Sequence, residues 1–240
     1  MSGTGSGVPE LPGTYGPLVV DWLKGAEQPT PDAVALAILD LARQGALSLT
    51  QGPDGLAIHR VRAGHEDHEA AVMDLLFHRA GRGQEHLTVA QFADWLQMRP
   101  EESRRWLERW AEVVGQFAIG QLRGAPRGAL MRRRQSRRDR DAILEAWEQW
   151  ADEAELHGRI LHPHPDVFAE WAHATLLAAA LGRGVALLAL IQRGLSESEQ
   201  QELAGSWCPT TQGQSLAEAF QAVWDQLPCL GATVAQDEGA

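Results

Sequence analysis

Lysine occurs once in the 240 residues, at Lys24, tyrosine once, at Tyr15, and asparagine not at all. Alanine, glycine and arginine abound instead, the bias of GC-rich coding, so a cluster of arginines is discounted as a signal in itself. Cysteine is scarce too. Cys208 and Cys229 have no C-x-x-C spacing, which argues against a thiol redox motif and favours buried or free thiols. With no signal-like start and two thiols that fit a reducing compartment, the chain is expected in the cytoplasm. There is no P-loop, no GxGxxG after a strand, no GxSxG and no HExxH. The paired carboxylates Glu66-Asp67 and Glu101-Glu102 sit at helix starts, where the helix dipole favours them without catalysis. The expectation is a non-catalytic chain with no cofactor.

Long apolar runs are nearly lacking as well. The one candidate membrane span, Ala174 to Ile191, carries Arg183 at its middle between two glycines, where a charge in hydrocarbon would cost at least ~2.5 kcal/mol. Two buried helices meeting at a Gly-Arg-Gly turn are expected there. What is present is ordinary globular material: 44% hydrophobic and 22% charged residues, enough to build a core. Acids outnumber bases 32 to 21, and the net charge of −11 works against non-specific attraction to nucleic acid or anionic lipid by the molecule as a whole.

Along the chain, residues 1–13 are small, polar and rich in Pro and Gly, which is linker composition. Pro17 to Lys24 reads as a short helix carrying Leu18, Val19 and Trp22. From Thr30 the pattern is a helix opened by Thr30-Pro31, with Val34, Ile38 and Leu41 on one face, and closed by Gly45. Ala46 to Leu49 and Leu56 to Val61 then flank Gln51-Gly52-Pro53-Asp54-Gly55 as a hairpin. Residues 14–62 thus resemble a truncated winged-helix-like unit. After the polar joint Ala63 to His68, a second such unit is expected over 66–135. Its parts are a helix from Glu69 to Arg79, a helix capped by Thr88 and running to Met98, and a helix from Glu101 to Gly115 that buries Trp106 and Trp110. A hairpin from Phe117 to Arg133 closes it. Residues 139–195 read as a helical bundle region, with helices through Trp147 and Trp150 to about Leu156, over Val167 to Leu181 and over Val185 to Gln192. Residues 196–240 read as a polar tail with one short helix, Leu216 to Trp224, and a disordered end. The fold class is therefore mainly α with short β-hairpins, as tandem winged-helix-like units followed by a helical bundle.

Two groups could carry contacts. Arg123, Arg127, Arg132, Arg133, Arg134, Arg137, Arg138 and Arg140 share one stretch with a single acid, Asp139. That is a local charge of 8 − 1 = +7, leaving −11 − 7 = −18 on the rest. Such a block suits phosphates, lipid headgroups or the protein's own acids. In a DNA-binding reading Arg104, Arg105 and Arg109 would face the bases, although Glu101, Glu102, Glu108 and Glu112 on the same helix repel phosphate. His157, His162, His164 and His173, with Asp166 and Glu170, are the one set with metal-ligand chemistry. Surface and capping roles are preferred for them, Asp166 as the cap of the helix that follows, and no metal is expected. His78 is expected to be a partly buried polar residue.

Four stretches carry a resemblance: the proline-led helix before Asp40–Leu47 (DLARQGAL), Glu69–Phe77 (EAAVMDLLF), Glu145–Glu153 (EAWEQWADE) and Phe168–Gly184 (FAEWAHATLLAAALGRG). In their order and spacing, over about three quarters of the chain, they resemble the carboxy-terminal cytoplasmic region of the DUF2207 family of bacterial membrane proteins. That family's members carry an extracellular domain and membrane helices, often with a pair between the second unit and the tryptophan helix, where this chain has its arginine run. The resemblance implies a place at the inner face of a membrane and a protein partner. It implies no activity and no functional residues. The reading is a non-catalytic interaction or scaffold module, with a winged-helix DNA-binding transcriptional regulator as the alternative.

Overall fold

Helix α2 (Ala33–Arg43) lies at the centre of the molecule, and it is not amphipathic: Ala33 to Leu39, Leu41 and Ala42 are all buried. Helices α1 (Pro17–Lys24), α3 (Asp67–Met73) and α7 (Phe168–Ala180) and strand β1 (Leu47–Gly52) pack on it from several sides. A helix apolar all round belongs inside a core. The computed structural model describes residues 8–124, 133–160, 163–205, 207–211 and 213–227, with backbone alone at 123–124 and 133–139. Among these, ten α-helices and one three-stranded antiparallel sheet share a continuous apolar core.

The start of α2 is tied to α1 through a buried carboxylate. Asp21 accepts from the Thr30 backbone N–H at 2.9 Å and from its hydroxyl at 2.5 Å. The hydroxyl oxygen in turn accepts from the Asp32 N–H at 3.3 Å, so Thr30 bonds in the turn ahead of the helix, which begins at Ala33 with Asp32 in the cap position and not at Pro31 as expected, and it also offsets part of the cost of burying Asp21. Burial still raises the Asp21 pKa, against the lowering effect of both Thr30 bonds. At the far end Gly45 takes φ +72° and the Ala46 N–H donates to the Leu41 carbonyl at 2.8 Å, the expected left-handed closure.

The hairpin β1–β2 (Gly55–Arg60) turns with Gly52 opposite Gly55 and directs Leu47, Leu49, Leu56 and Ile58 into the core. A third strand, β3 (His86–Thr88), pairs antiparallel with β2, Leu87 opposite Ile58. The stretches expected as separate units, 14–62 and 66–135, therefore share a single sheet rather than each carrying a wing. Helix α3 continues into a wider π-helical segment, Asp74–Ala80, on which His78 is exposed rather than partly buried. Helix α4 (Val89–Met98) starts as expected: the Gln91 N–H donates to the Thr88 hydroxyl at 3.1 Å, and the Thr88 N–H donates to the Gln91 side chain at 2.8 Å.

The hairpin expected from Phe117 is not there. Helix α5 (Pro100–Gly124) runs straight through Gly115 and Phe117. Val114 and Ala118 are buried one turn apart, and Phe117 meets the His68 ring at 4.2 Å. A Cβ at Gly115 would lie at ordinary van der Waals distance, 3.5 Å, from the Trp22 indole nitrogen, so this glycine sits where α5 faces α1 and does not end a helix. The rest of the expected hairpin falls on 125–132, outside the described residues. Trp106 and Trp110 are core, stacked at 5.4 Å, and the Trp110 indole donates to the His68 carbonyl at 3.1 Å.

Three helices follow as expected, α6 (Arg133–Ile160), α7 and α8 (Gly184–Ile191). Arg183 stands at the α7–α8 corner and reaches α6, donating to Glu155 and Asp152 at 2.7 Å each, with Glu148 at 3.9 Å. No helix of the described residues is long and apolar enough to cross a membrane. The polar tail expected from residue 196 is instead partly core. Helices α9 (Glu197–Ala204) and α10 (Leu216–Gln226) each begin with a Ser–Glu capping box and bury Leu203, Leu216, Phe220 and Val223, and Trp207 between them is buried too. The terminal ten residues expected to be disordered lie outside the described residues.

Candidate functional site

The arginine stretch spans the end of α5 and the start of α6. Arg123 is on the last turn of α5, and Arg133, Arg134, Arg137 and Arg138 follow one another along the first two turns of α6. Arg127 and Arg132 lie outside the described residues. Arg140 bonds Asp141 at 3.0 Å through its guanidinium. No acid occupies the first turn of α6, and arginines there oppose the helix dipole by a few tenths of a kcal/mol each, about 0.3–1 at most. Helix stability is thus no reason for their position. The first fully buried α6 side chain among the described residues is Trp147. At about 1.5 Å rise per residue, Arg133 stands ~21 Å from it along the axis.

The helices that would read DNA present little positive charge. Helix α2 has no exposed residue, and the exposed side of α4 carries Gln91, Asp94 and Gln97. On α5, Arg104 bonds Glu101 at 3.2 Å and Arg109 donates to the Arg105 carbonyl at 3.1 Å. Nearby, Arg79 bridges Asp74 and Glu102, and Arg99 also holds Glu102 at 3.0 Å. This surface is interleaved and internally paired.

The histidines for which surface and capping roles are expected sit on different elements, His157 on α6, His164 ahead of the 3-10 turn Pro165–Val167 and His173 on α7. His164 is exposed and, rather than Asp166, caps the 3-10 turn Pro165–Val167: its Nδ1 accepts from the Asp166 N–H at 3.4 Å. His173 sits within α7, with a buried Nε2 that has no partner. His162 lies outside the described residues. No group of three or more His, Cys, Asp or Glu among the described residues is arranged to hold a metal ion. Cys208 is buried and its thiol is pushed up to about 12 by desolvation. Cys229 lies outside the described residues.

A polar cluster that the sequence reading missed runs along α2. Asp40 accepts from Arg43 at 2.8 Å and from the Gln44 side chain at 3.0 Å. It also acts electrostatically on two imidazoles, the buried His68 of α3 and the half-buried His173 of α7, each with one buried, unpartnered ring nitrogen. Burial lowers the His68 pKa against Glu69, Glu66, Asp40 and Asp67; burial and then Arg43 lower that of His173 against Asp40. The signal was available: Asp40 is the single acid in a helix that is otherwise apolar up to Arg43. Both oxygens of Asp40 are thus engaged by Arg43 and Gln44 at the end of its own helix. No family model matches the chain, and no curated protein or solved structure is significantly similar to it.

Proposed function

We propose that this chain is a non-catalytic interaction module that holds the arginine-bearing start of α6 against an anionic membrane surface, in the manner of the cytoplasmic part of a DUF2207-type membrane protein, where it scaffolds a protein partner. The observation that carries the reading is the separation of charge. Eight arginines against one acid fall between residues 123 and 140, while the rest of the chain is strongly acidic. The ~21 Å between Arg133 and Trp147 exceeds the Debye length of ≈ 8 Å at physiological salt, so repulsion between the acidic body and an anionic surface is screened while the arginines make contact. Each basic residue at such a surface is worth about 1 kcal/mol.

A second reading, the winged-helix regulator, rests on the order α1, α2, β1, β2, a helix pair followed by a wing. The burial of α2 on all sides speaks against it, since a recognition helix must expose a polar face to the groove. Co-sedimentation separates the two. The membrane reading expects binding to phosphatidylglycerol-containing vesicles but not to phosphatidylcholine vesicles, weakened by salt. Replacing Arg132, Arg133 and Arg134 together by Ala should weaken it about 100-fold, from ~1 kcal/mol per residue. Indifference to lipid charge overturns it, and salt-dependent duplex binding lost in the same variant selects the regulator.

A further inference from the structure

The outer face of the sheet carries two histidines set directly opposite each other. Side chains alternate along each strand, so Leu49, Ile58 and Leu87 enter the core while Thr50, His59 and His86 stand on the solvent side. His59 of β2 is the partner of His86 of β3. One step along, the Arg60 N–H donates to the Glu85 carbonyl at 2.8 Å, so His59 and His86 form the kind of pair whose own backbone groups do not bond each other. In an antiparallel ladder that is where opposite Cα atoms come closest, about 4.5 Å, and side chains are nearest. The two imidazoles lie face to face, with 5.9 Å between centroids and 19° between planes.

A second observation concerns the orientation of one ring. The Thr50 hydroxyl, diagonal to His59 on β1, lies 2.8 Å from its Nε2. With the hydroxyl accepting the Nε2 proton, Nδ1 keeps its lone pair, and a metal-ligating imidazole is commonly held by such a bond through its other nitrogen. Among the described residues no hydrogen bond or ion pair ties the His86 ring, so it can turn without breaking one. Two imidazole nitrogens each about 2.1 Å from one ion set their ring centroids roughly 5–6 Å apart. Closing the pair on an ion therefore takes ring rotation and no movement of the strands. We infer that His59 and His86 form a surface site for one divalent transition-metal ion of the zinc class, with water in the remaining positions. Imidazole donors suit zinc, nickel and copper, whereas magnesium and calcium take oxygen ligands. Glu85, the acid next to His86, pairs with Arg60 at 3.8 Å. The bound ion ties β2 to β3 and so fastens the hairpin to the chain that runs on into α4.

The test titrates the full chain, free of any affinity tag, with zinc chloride by calorimetry at neutral pH. One ion should bind per chain. His59→Gln and His86→Gln should each weaken binding about ten-fold or more, and the double variant should lose far less than the sum of the two, because both rings serve one ion. Thr50→Val should weaken binding several-fold at unchanged stoichiometry, and Thr50→Ser should restore it. In the wild type, zinc should move the imidazole nitrogen resonances of His59 and His86 and raise the urea midpoint, a readout that holds even if a variant fails to fold. Zinc bound with unchanged affinity by both single variants, or zinc that moves the resonances of His65, His78 or His157 in their place, overturns the assignment. So do strictly additive losses, which would mean two separate one-histidine contacts, and a wild type that takes up no zinc at millimolar concentration.

Discussion

Replacing Arg183 by Gln tests how the helical region is held to itself. The guanidinium is 25% exposed and its partner Glu155 is 18% exposed, at 2.7 Å, so this bond is partly shielded from water. A charge-assisted hydrogen bond in such a place contributes about 1.5–3 kcal/mol. Asp152 is 71% exposed, which limits its share to at most ~1 kcal/mol. Glu148, at 3.9 Å, adds little. Removing the cation also leaves three carboxylates on neighbouring turns of α6, a repulsion of a few tenths of a kcal/mol per pair, about 0.2–0.5. Arg183→Gln should therefore cost about 2–3 kcal/mol in urea unfolding, and at ≈ 2–4 °C per kcal/mol the midpoint of a chain this size falls by roughly 5–10 °C. The loss should shrink in 1 M salt, where the Debye length is ≈ 3 Å. In a double-mutant cycle with Glu155→Gln the two positions should be coupled by at least ~1 kcal/mol, while Glu148→Gln alone stays within ~0.5 kcal/mol. A cost below ~0.5 kcal/mol for Arg183→Gln, or simple additivity with Glu155→Gln, would show that the corner is held by apolar packing alone.

Asp21 and His68 move stability with pH in opposite senses. The folded pKa of Asp21 lies above its ordinary 3.8, so the folded chain takes up this proton first: the contribution is fully present below 3.8 and is lost as pH rises through the raised value. Asp21→Asn should remove that pH-dependent part in a urea–pH series, whereas Asp21→Ala, leaving the Thr30 donors unpaired, should cost ~1–3 kcal/mol at neutral pH. His68 and His173 are depressed below 6.5. The unfolded chain binds those protons first, so stability falls on acidification below about 6.5, and His68→Gln with His173→Gln should flatten the slope. Cys208 should resist iodoacetamide at pH 8 in the folded chain and react on unfolding, as read by mass mapping of its own peptide; labelling in the native state would contradict its burial.

Local grammar made much of the fold legible. Thr30 and Gly45 bracket α2, Thr88 opens α4, the Gly52–Gly55 turn sets the hairpin, and the four-residue spacing of Trp106 and Trp110 points both inward. What escaped was long-range. Gly115 looks like a helix end, but Val114 and Ala118, both buried in the common core, carry α5 through it. The three residues of β3 are too few to show alternation, so their partner is decided by Ile58 and not by their own pattern. Ser196–Glu199 and Ser215–Glu218 were readable capping signals obscured by the polar composition around them. As for sites, the run of arginines is visible in one dimension, but the electrostatic influence of Asp40 on His68 and His173, carried by other helices, is not.

The pairing of β3 with β2 governs how the protein can be divided. A fragment that stops anywhere between Arg60 and His86 would leave one side of β2 as a bare edge, and a bare edge recruits other strands. Truncations placed at the polar joint should therefore aggregate, whereas one that retains the chain through Met98 keeps that edge closed.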